Sequence, residues 1–297
     1  MGWLFEPGFF ASAQVHTAAA LGAVVAVVCG ITGVFTVMRG QSFAGHALGD
    51  VSAAGGSGAL LAGLSPVAGF AGLGVIGAGV MDMIGVQRVR SRDLATGIVL
   101  GAAIGLSALF LYLTSVTGAT TGAVQQVLFG SIFATTSGTI PAVAILGALS
   151  LTSLAVICRP LLLATVSPDI AVARGVPVRL IGVVYMLALA VSVGLSSVAT
   201  GAILSTALLI GPAAAALRLT GRVGRALGLA CLLGVLSAWL GVLLAYDSYY
   251  WGSSHEGLPV SFFIVAVVFV TYLASGIRIS RSARPDELAP APSKVGV

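Results

Sequence analysis

The sequence predicts an all-α, polytopic transmembrane bundle. Three observations carry that prediction. Of 297 residues, 58% are hydrophobic and only 8% are charged, with a mean hydropathy of +1.10. A soluble domain carries about 25% charged residues. Apolar stretches of about 20 residues recur, the length of a helix that crosses a ~30 Å hydrocarbon core. They lack the polar–apolar alternation that membrane strands need. All 14 basic residues fall between these stretches so that each lies on one side of the membrane.

Nine spans are expected, at 17–38, 43–63, 66–86, 94–114, 141–160, 180–199, 202–217, 226–245 and 259–277. The first ends at Arg39. The third runs into Arg88, Arg90 and Arg92, and the fourth opens at Asp93, where a helix dipole favours a carboxylate. Arg159, Arg174 and Arg179 separate the fifth from the sixth. Arg218, Arg222 and Arg225 separate the seventh from the eighth. Arg278, Arg281, Arg284 and Lys294 follow the ninth. The positive-inside rule makes this side the cytoplasm, with the N-terminus outside and the C-terminus inside. The opposite loops hold Glu6, His16, Asp247, His255 and Glu256 instead. The net charge of +5 is then an orientation signal and not a nucleic-acid footprint.

Residues 1–280 read as one membrane domain and 281–297 as a disordered cytoplasmic tail rich in Arg, Pro, Asp and Glu. The first sixteen residues lack the basic n-region of a signal peptide and carry Glu6 in its place. Trp3, Phe5, Phe9 and Phe10 suit a membrane–water interface. The 40 glycines point to close helix packing, with Gly45-x-x-x-Gly49 and the 72–79 run as small-residue surfaces. Gly211-Pro212 is expected to break the seventh span, because Pro lacks a backbone donor. Cys29, Cys158 and Cys231 have no C-x-x-C spacing and read as small packing residues.

Several chemistries lack their residues. The phosphate-cradling loop needs a lysine, and the only one is Lys294 in the tail. The chain therefore does not hydrolyse ATP by itself. No nucleophile elbow or H-E-x-x-H motif occurs, so an enzyme has little support. Intramembrane carboxylates are limited to Asp50 and Asp82. The second span begins Q-S-F-A-G-H-A-L-G-D, and His46 and Asp50 share one helix face at i,i+4 spacing. Such a pair can ligate a divalent cation such as Zn²⁺ or Mn²⁺. It can equally form an internal hydrogen bond that holds two helices together. His255 and Glu256 form a metal-capture lip, a docking surface or an ordinary solvated loop.

The longest inner connection is C-R-P-L-L-L-A-T-V-S-P-D-I-A-V-A-R-G-V-P-V-R-L. Here Ser167 can N-cap a short helix with Pro168 at its first position, Asp169 in its first turn and Gly175 as its stop. With small Ala171 and Ala173 it can serve as a docking knob for a partner or lie as a simple interfacial helix.

Three stretches resemble the permease subunits of bacterial ABC importers for zinc, manganese and iron. M-R-G-Q-S-F-A-G-H-A-L-G-D-V-S-A-A-G is similar to the family's R-R-M-A-x-F-G-D-A-L-S-H-A segment. S-P-D-I-A-V-A-R-G-V-P-V-R-L resembles its D-x-x-x-A-x-A-x-G-V coupling segment. V-A-T-G-A-I-L-S-T-A-L-L-I-G-P-A-A-A-A-L-R-L-T resembles its V-G-x-L-L-x-x-A-L-L-I-x-P-A-A-x-A signature. The likeness covers most of residues 20–275. It implies a homodimer served by a separate cytoplasmic ATPase dimer and an extracytoplasmic metal-binding protein, embedded in membrane lipid. It also implies that Ser167, Asp169, Ala171, Ala173, Arg174 and Gly175 couple to the ATPase, and that His46 and Asp50 contact a transient ion. Zinc is the first choice of metal and manganese the second, with no permanently bound cofactor. The family's usual order is D-x-x-x-H, and here the two ligands are inverted. Related permeases import cobalamin and iron–siderophore complexes, for which a His/carboxylate pair would serve no purpose. The competing readings from other classes are a stand-alone secondary carrier or channel, which would need no ATPase, and a receptor or scaffold.

Overall fold

A computed structural model describes residues 9–84, 92–118, 122–130, 132–133, 137–250 and 257–282. Among them there is no strand. After a 3₁₀ turn at Phe9–Ala11 come eleven helices. They are α1 (Ala13–Met38), α2 (Ser42–Leu61), α3 (Pro66–Ile84), α4 (Arg92–Thr117), α5 (Ala123–Phe129), α6 (Thr139–Val166), α7 (Pro168–Ala173), α8 (Val178–Thr200), α9 (Ser205–Leu219), α10 (Val223–Ser248) and α11 (Val260–Ser282). A helix occupies each of the nine segments expected to span. Six of them, α1, α3, α4, α6, α8 and α10, are long and apolar enough to cross a membrane. The other three fall short for visible reasons. Helix α2 carries His46, Asp50 and a Gly/Ser-rich sequence, α9 has 15 residues, and the apolar part of α11 is Val260–Gly276.

Helices α1 and α8 form the centre, with more than half of their apolar windows buried. Around them Leu21, Val25, Phe35, Tyr185, Leu189 and Leu195 build one continuous core. Helices α4 and α6 leave most of their surface outward, with Ile98, Leu109, Tyr112, Ile145, Leu149 and Val156 exposed. Apolar surface of that extent suits a lipid solvent and not water.

Small residues make the crossings. Gly55 of α2 and Gly69 of α3 each face the other's carbonyl oxygen, and neither has room for a methyl group. Gly45 packs on Leu209 and Leu189, and Gly49 on Ser205 and Val193. Gly74 and Gly77 of the 72–79 run press on Ser52 and Val51, while Gly72 and Gly79 face open space. Hydroxyls supply the polar cement. Thr32 Oγ1 and Ser192 Oγ are 2.8 Å apart, and Ser150 Oγ donates to the Ala188 carbonyl at 3.0 Å. Cys29 is buried with its Sγ on the Ser192 carbonyl. Cys158 and Cys231 are half-buried, and all three cysteines are free.

Two expectations need correction. Gly211-Pro212 does not break its helix: α9 runs through Pro212. Gly211 instead lets α9 approach Val268 of α11 closely. The interruption lies earlier, at 201–204, where Gly201 has a φ of 78°. The freed backbone is satisfied there by α5, a short helix the sequence did not reveal. Ala202 N–H donates to the Val127 carbonyl at 2.9 Å and Ile203 N–H to that of Leu128 at 3.4 Å. A break of this kind is tolerated at membrane depth where it is buried in protein or lines a water-filled cavity. Asp247, expected in an outer loop, belongs to the last turn of α10 and is fully buried.

Candidate functional site

Helix α2 begins at Ser42, two residues past the Gly40 turn that closes α1. His46 and Asp50 therefore occupy its second and third turns, on one face. Contacts with α8 fix their depth. The neighbouring Gly45 and Gly49 lie against Leu189 and Val193, about 16 and about 22 Å into a helix about 34 Å long at 1.5 Å per residue. The pair is thus held midway along the central helix, far from either end.

His46 Nε2 stands 3.8 Å from Asp50 Oδ2, with side-chain exposures of 42% and 17%. That separation exceeds a hydrogen bond. Both residues also belong to the same helix, so the pair does not tie two helices together. Their side chains open into a cavity of about 410 Å³, whose further walls include Ser107 and Leu111 of α4, Leu128 of α5 and Ile203 from the 201–204 interruption. The α5 helix and the broken segment therefore shape the chamber that the ionisable pair faces. Sequence reading missed this contribution. The signal for it was the short i, i+3, i+4 set Val124, Val127 and Leu128 between Gly122 and Gly130.

The chemistry of the chamber is spare. Among the described residues it offers one imidazole, one carboxylate and one hydroxyl in apolar walls. Among the described residues no group of three or more His, Cys, Asp or Glu could hold a metal ion. A closed structural zinc site takes four protein ligands. Two donors per chain suit contact with an ion that passes, or one that keeps part of its water shell.

The other expected residues lie elsewhere. Helix α7 is present with Pro168 at its first position and Asp169 in its first turn. Ser167 occupies the N-cap position but makes no side-chain cap bond; its carbonyl accepts the Ala171 N–H at 3.0 Å. The helix closes as designed by Gly175, whose φ is 74°. Gly175 N–H donates to Val172 and Val176 N–H to Ala171, the paired bonds of a Schellman stop. Ala171 is fully buried, whereas Ala173 and Arg174 are exposed together with Ile170 and Val172. His16 is satisfied locally by the Phe10 carbonyl at 2.8 Å. Asp82 Oδ1 is buried without a hydrogen-bond partner among the described residues. His255, Glu256 and the tail beyond Ser282 lie outside the described residues.

Comparison with known proteins matches this architecture. The ABC 3 transport family is matched over residues 12–277. The manganese transport system membrane protein MntC of Halalkalibacterium halodurans is 32% identical over 237 residues, covering 79% of each chain. The chelated iron transport system membrane protein YfeC of Yersinia pestis is 30% identical, covering 80% of this chain and 79% of that one. Among solved structures, PsaBC from Streptococcus pneumoniae in complex with Fab superposes with a TM-score of 0.73 at 25% identity, covering 90% of this chain and 92% of that chain. A match that runs from the first helix to the last, and takes in the ionisable pair, the broken α8–α9 segment and α7, makes this chain a member of the ABC 3 transport family.

Proposed function

We propose that the chain is the membrane-spanning permease subunit of an ABC importer for a divalent transition metal, manganese first. The observation that carries this reading is the His46–Asp50 pair, which faces a chamber at mid-depth in a chain of this family. The relatives compared above are named for manganese and iron. That moves manganese ahead of zinc, the sequence's first choice. The donor set agrees: a carboxylate and water suit manganese, and a lone imidazole per chain is a weak basis for preferring zinc.

In this reading the chain spans the membrane nine times, with its N-terminus outside. Two copies pair around the path. ATP is hydrolysed by separate cytoplasmic subunits, and a separate extracytoplasmic protein delivers the ion. The exposed face of α7, with Ile170, Val172 and Arg174, docks on the ATPase. Closure of the ATPases moves α7 and alternates the access of the chamber to the two sides.

The test is uptake of radioactive manganese into vesicles that hold the full complex. Uptake should require ATP and the ATPase, and excess manganese should compete better than zinc. Uptake without any ATPase would support a stand-alone carrier. Competition by zinc alone would return zinc to first place.

A further inference from the structure

We propose that Arg39 is a positioning residue that links α7 to the helix carrying His46 and Asp50. The inference rests on the transport reading above and adds the part that transmits the movement. Arg39 is the cap residue of α1, three residues before α2 begins. Its side chain turns inward and is only half-exposed. One arm, Nη1, donates to Thr165 Oγ1 at 3.2 Å. Thr165 is in the last turn of α6, three residues ahead of Pro168, and its hydroxyl donates in turn to the Leu161 carbonyl at 2.7 Å. The Nε donates to Oε1 of the buried Gln41 at 3.4 Å. The guanidinium also stands 5.0 Å from the ring centroid of Tyr185 on α8.

That ring is fully buried. Its hydroxyl donates to Thr36 Oγ1 at 2.9 Å, and the Thr36 carbonyl accepts the Gln41 N–H that closes the α1–α2 turn. One planar cation thus joins the end of α6, the first third of α8 and the start of α2. Helix α7 itself packs on α6 and α8. A shift of α7 therefore reaches Arg39 through the α6 terminus, and Arg39 is joined by a hydrogen-bonded turn to the start of α2, one helical turn before His46.

A bland alternative exists on the same residue. Arg39 is the one basic residue between the first two expected spans, so it could serve only as a charge that fixes orientation. Lys replaces that charge but not the planar, multi-donor fork that reaches Thr165, Gln41 and the ring at once. The pair Arg39→Lys and Arg39→Gln separates the two roles. In the full complex with its ATPase, reconstituted in vesicles, we expect both variants to hydrolyse ATP within about twofold of wild type. The ratio of manganese taken up to ATP hydrolysed should fall about fivefold or more, the scale of a broken coupling contact.

Wild-type ratio in Arg39→Lys would overturn the proposal and leave a charge role. If the Arg39 variants fail to assemble, Thr165→Val decides, because it removes the acceptor hydroxyl alone at nearly constant shape. A lowered ratio in Thr165→Val supports the link, and a wild-type ratio refutes it. A wild-type complex without ATP-driven metal uptake would contradict the transport reading itself, which is a distinct outcome.

Discussion

At the scale of single residues, the ionisable pair on α2 sets the chemistry. An intramembrane carboxylate costs about 2.5–3.5 kcal/mol on insertion scales, and Asp50 remains only partly shielded, 3.8 Å from a histidine. A passing cation would offset that cost, and an apolar residue would avoid it. The inverted order of the pair then has a measurable meaning. If both side chains serve one ion from one helix face, exchanging them preserves the donor set. His46→Asp combined with Asp50→His should therefore keep part of the uptake. His46→Ala should lower uptake more mildly than loss of Asp50, and should move preference away from metals that favour imidazole. Manganese and zinc competition curves on each variant check this. Wild-type selectivity in a well-expressed His46→Ala chain would remove His46 from the path.

At the scale of elements, two helices carry predictions. Gly175 ends α7 in the left-handed region with nothing near its missing Cβ, so the cost of a side chain there is backbone strain alone. Gly175→Val should cost about 1–2 kcal/mol locally, misplace the exposed face of α7, and lower uptake while the protein still inserts. Gly175→Asn tolerates that backbone region and should transport nearly as wild type. Equal activity of Gly175→Val would separate α7 from coupling. At the α2–α3 crossing, Gly55→Ala drives a methyl into the Gly69 carbonyl. Overpacking of this kind costs about 1–3 kcal/mol, and thermal unfolding in detergent should report a lowered midpoint. Gly79→Ala, which meets nothing, should not.

These elements also show what was legible in the sequence. Flanking arginines and apolar runs located nine of the helices, and six of them have the length and apolarity that a membrane imposes. Capping chemistry placed α7 to within a residue, since Pro168 and Gly175 are constrained by backbone conformation alone. Helix α5 was missed: its seven residues are too short a run for the i, i+3, i+4 spacing of Val124, Val127 and Leu128 to stand out, and its terminal carbonyls meet the 201–204 backbone, distant in sequence. The Gly211-Pro212 expectation failed for a related reason. A proline marks a lost donor, but it does not say whether the helix continues past it. For the candidate site, the i,i+4 spacing put His46 and Asp50 on one helix face, and the family resemblance suggested an ion as their partner. Their chamber depends on α4, α5 and the α8–α9 interruption, which are distant in sequence.

At the scale of the whole molecule, the described arginines lie at or toward one end of their helices, Arg159 being two turns inside the end of α6, and the positive-inside rule predicts that this side is cytoplasmic. Gly257 and Gly221 are exposed with open space around them, so cysteine is tolerated at either. In a cysteine-free background, a membrane-impermeant thiol reagent applied from outside should label Gly257→Cys and not Gly221→Cys. The opposite pattern would invert the topology. The central claim, that an ion passes the α2 pair in a chamber driven by ATP, is tested most directly by one measurement. ATP-dependent uptake of radioactive manganese should be followed in vesicles with Asp50→Ala in place of the wild-type chain, at matched membrane expression. Uptake reduced to background with the complex still assembled is the predicted result, and uptake at the wild-type rate would contradict the account.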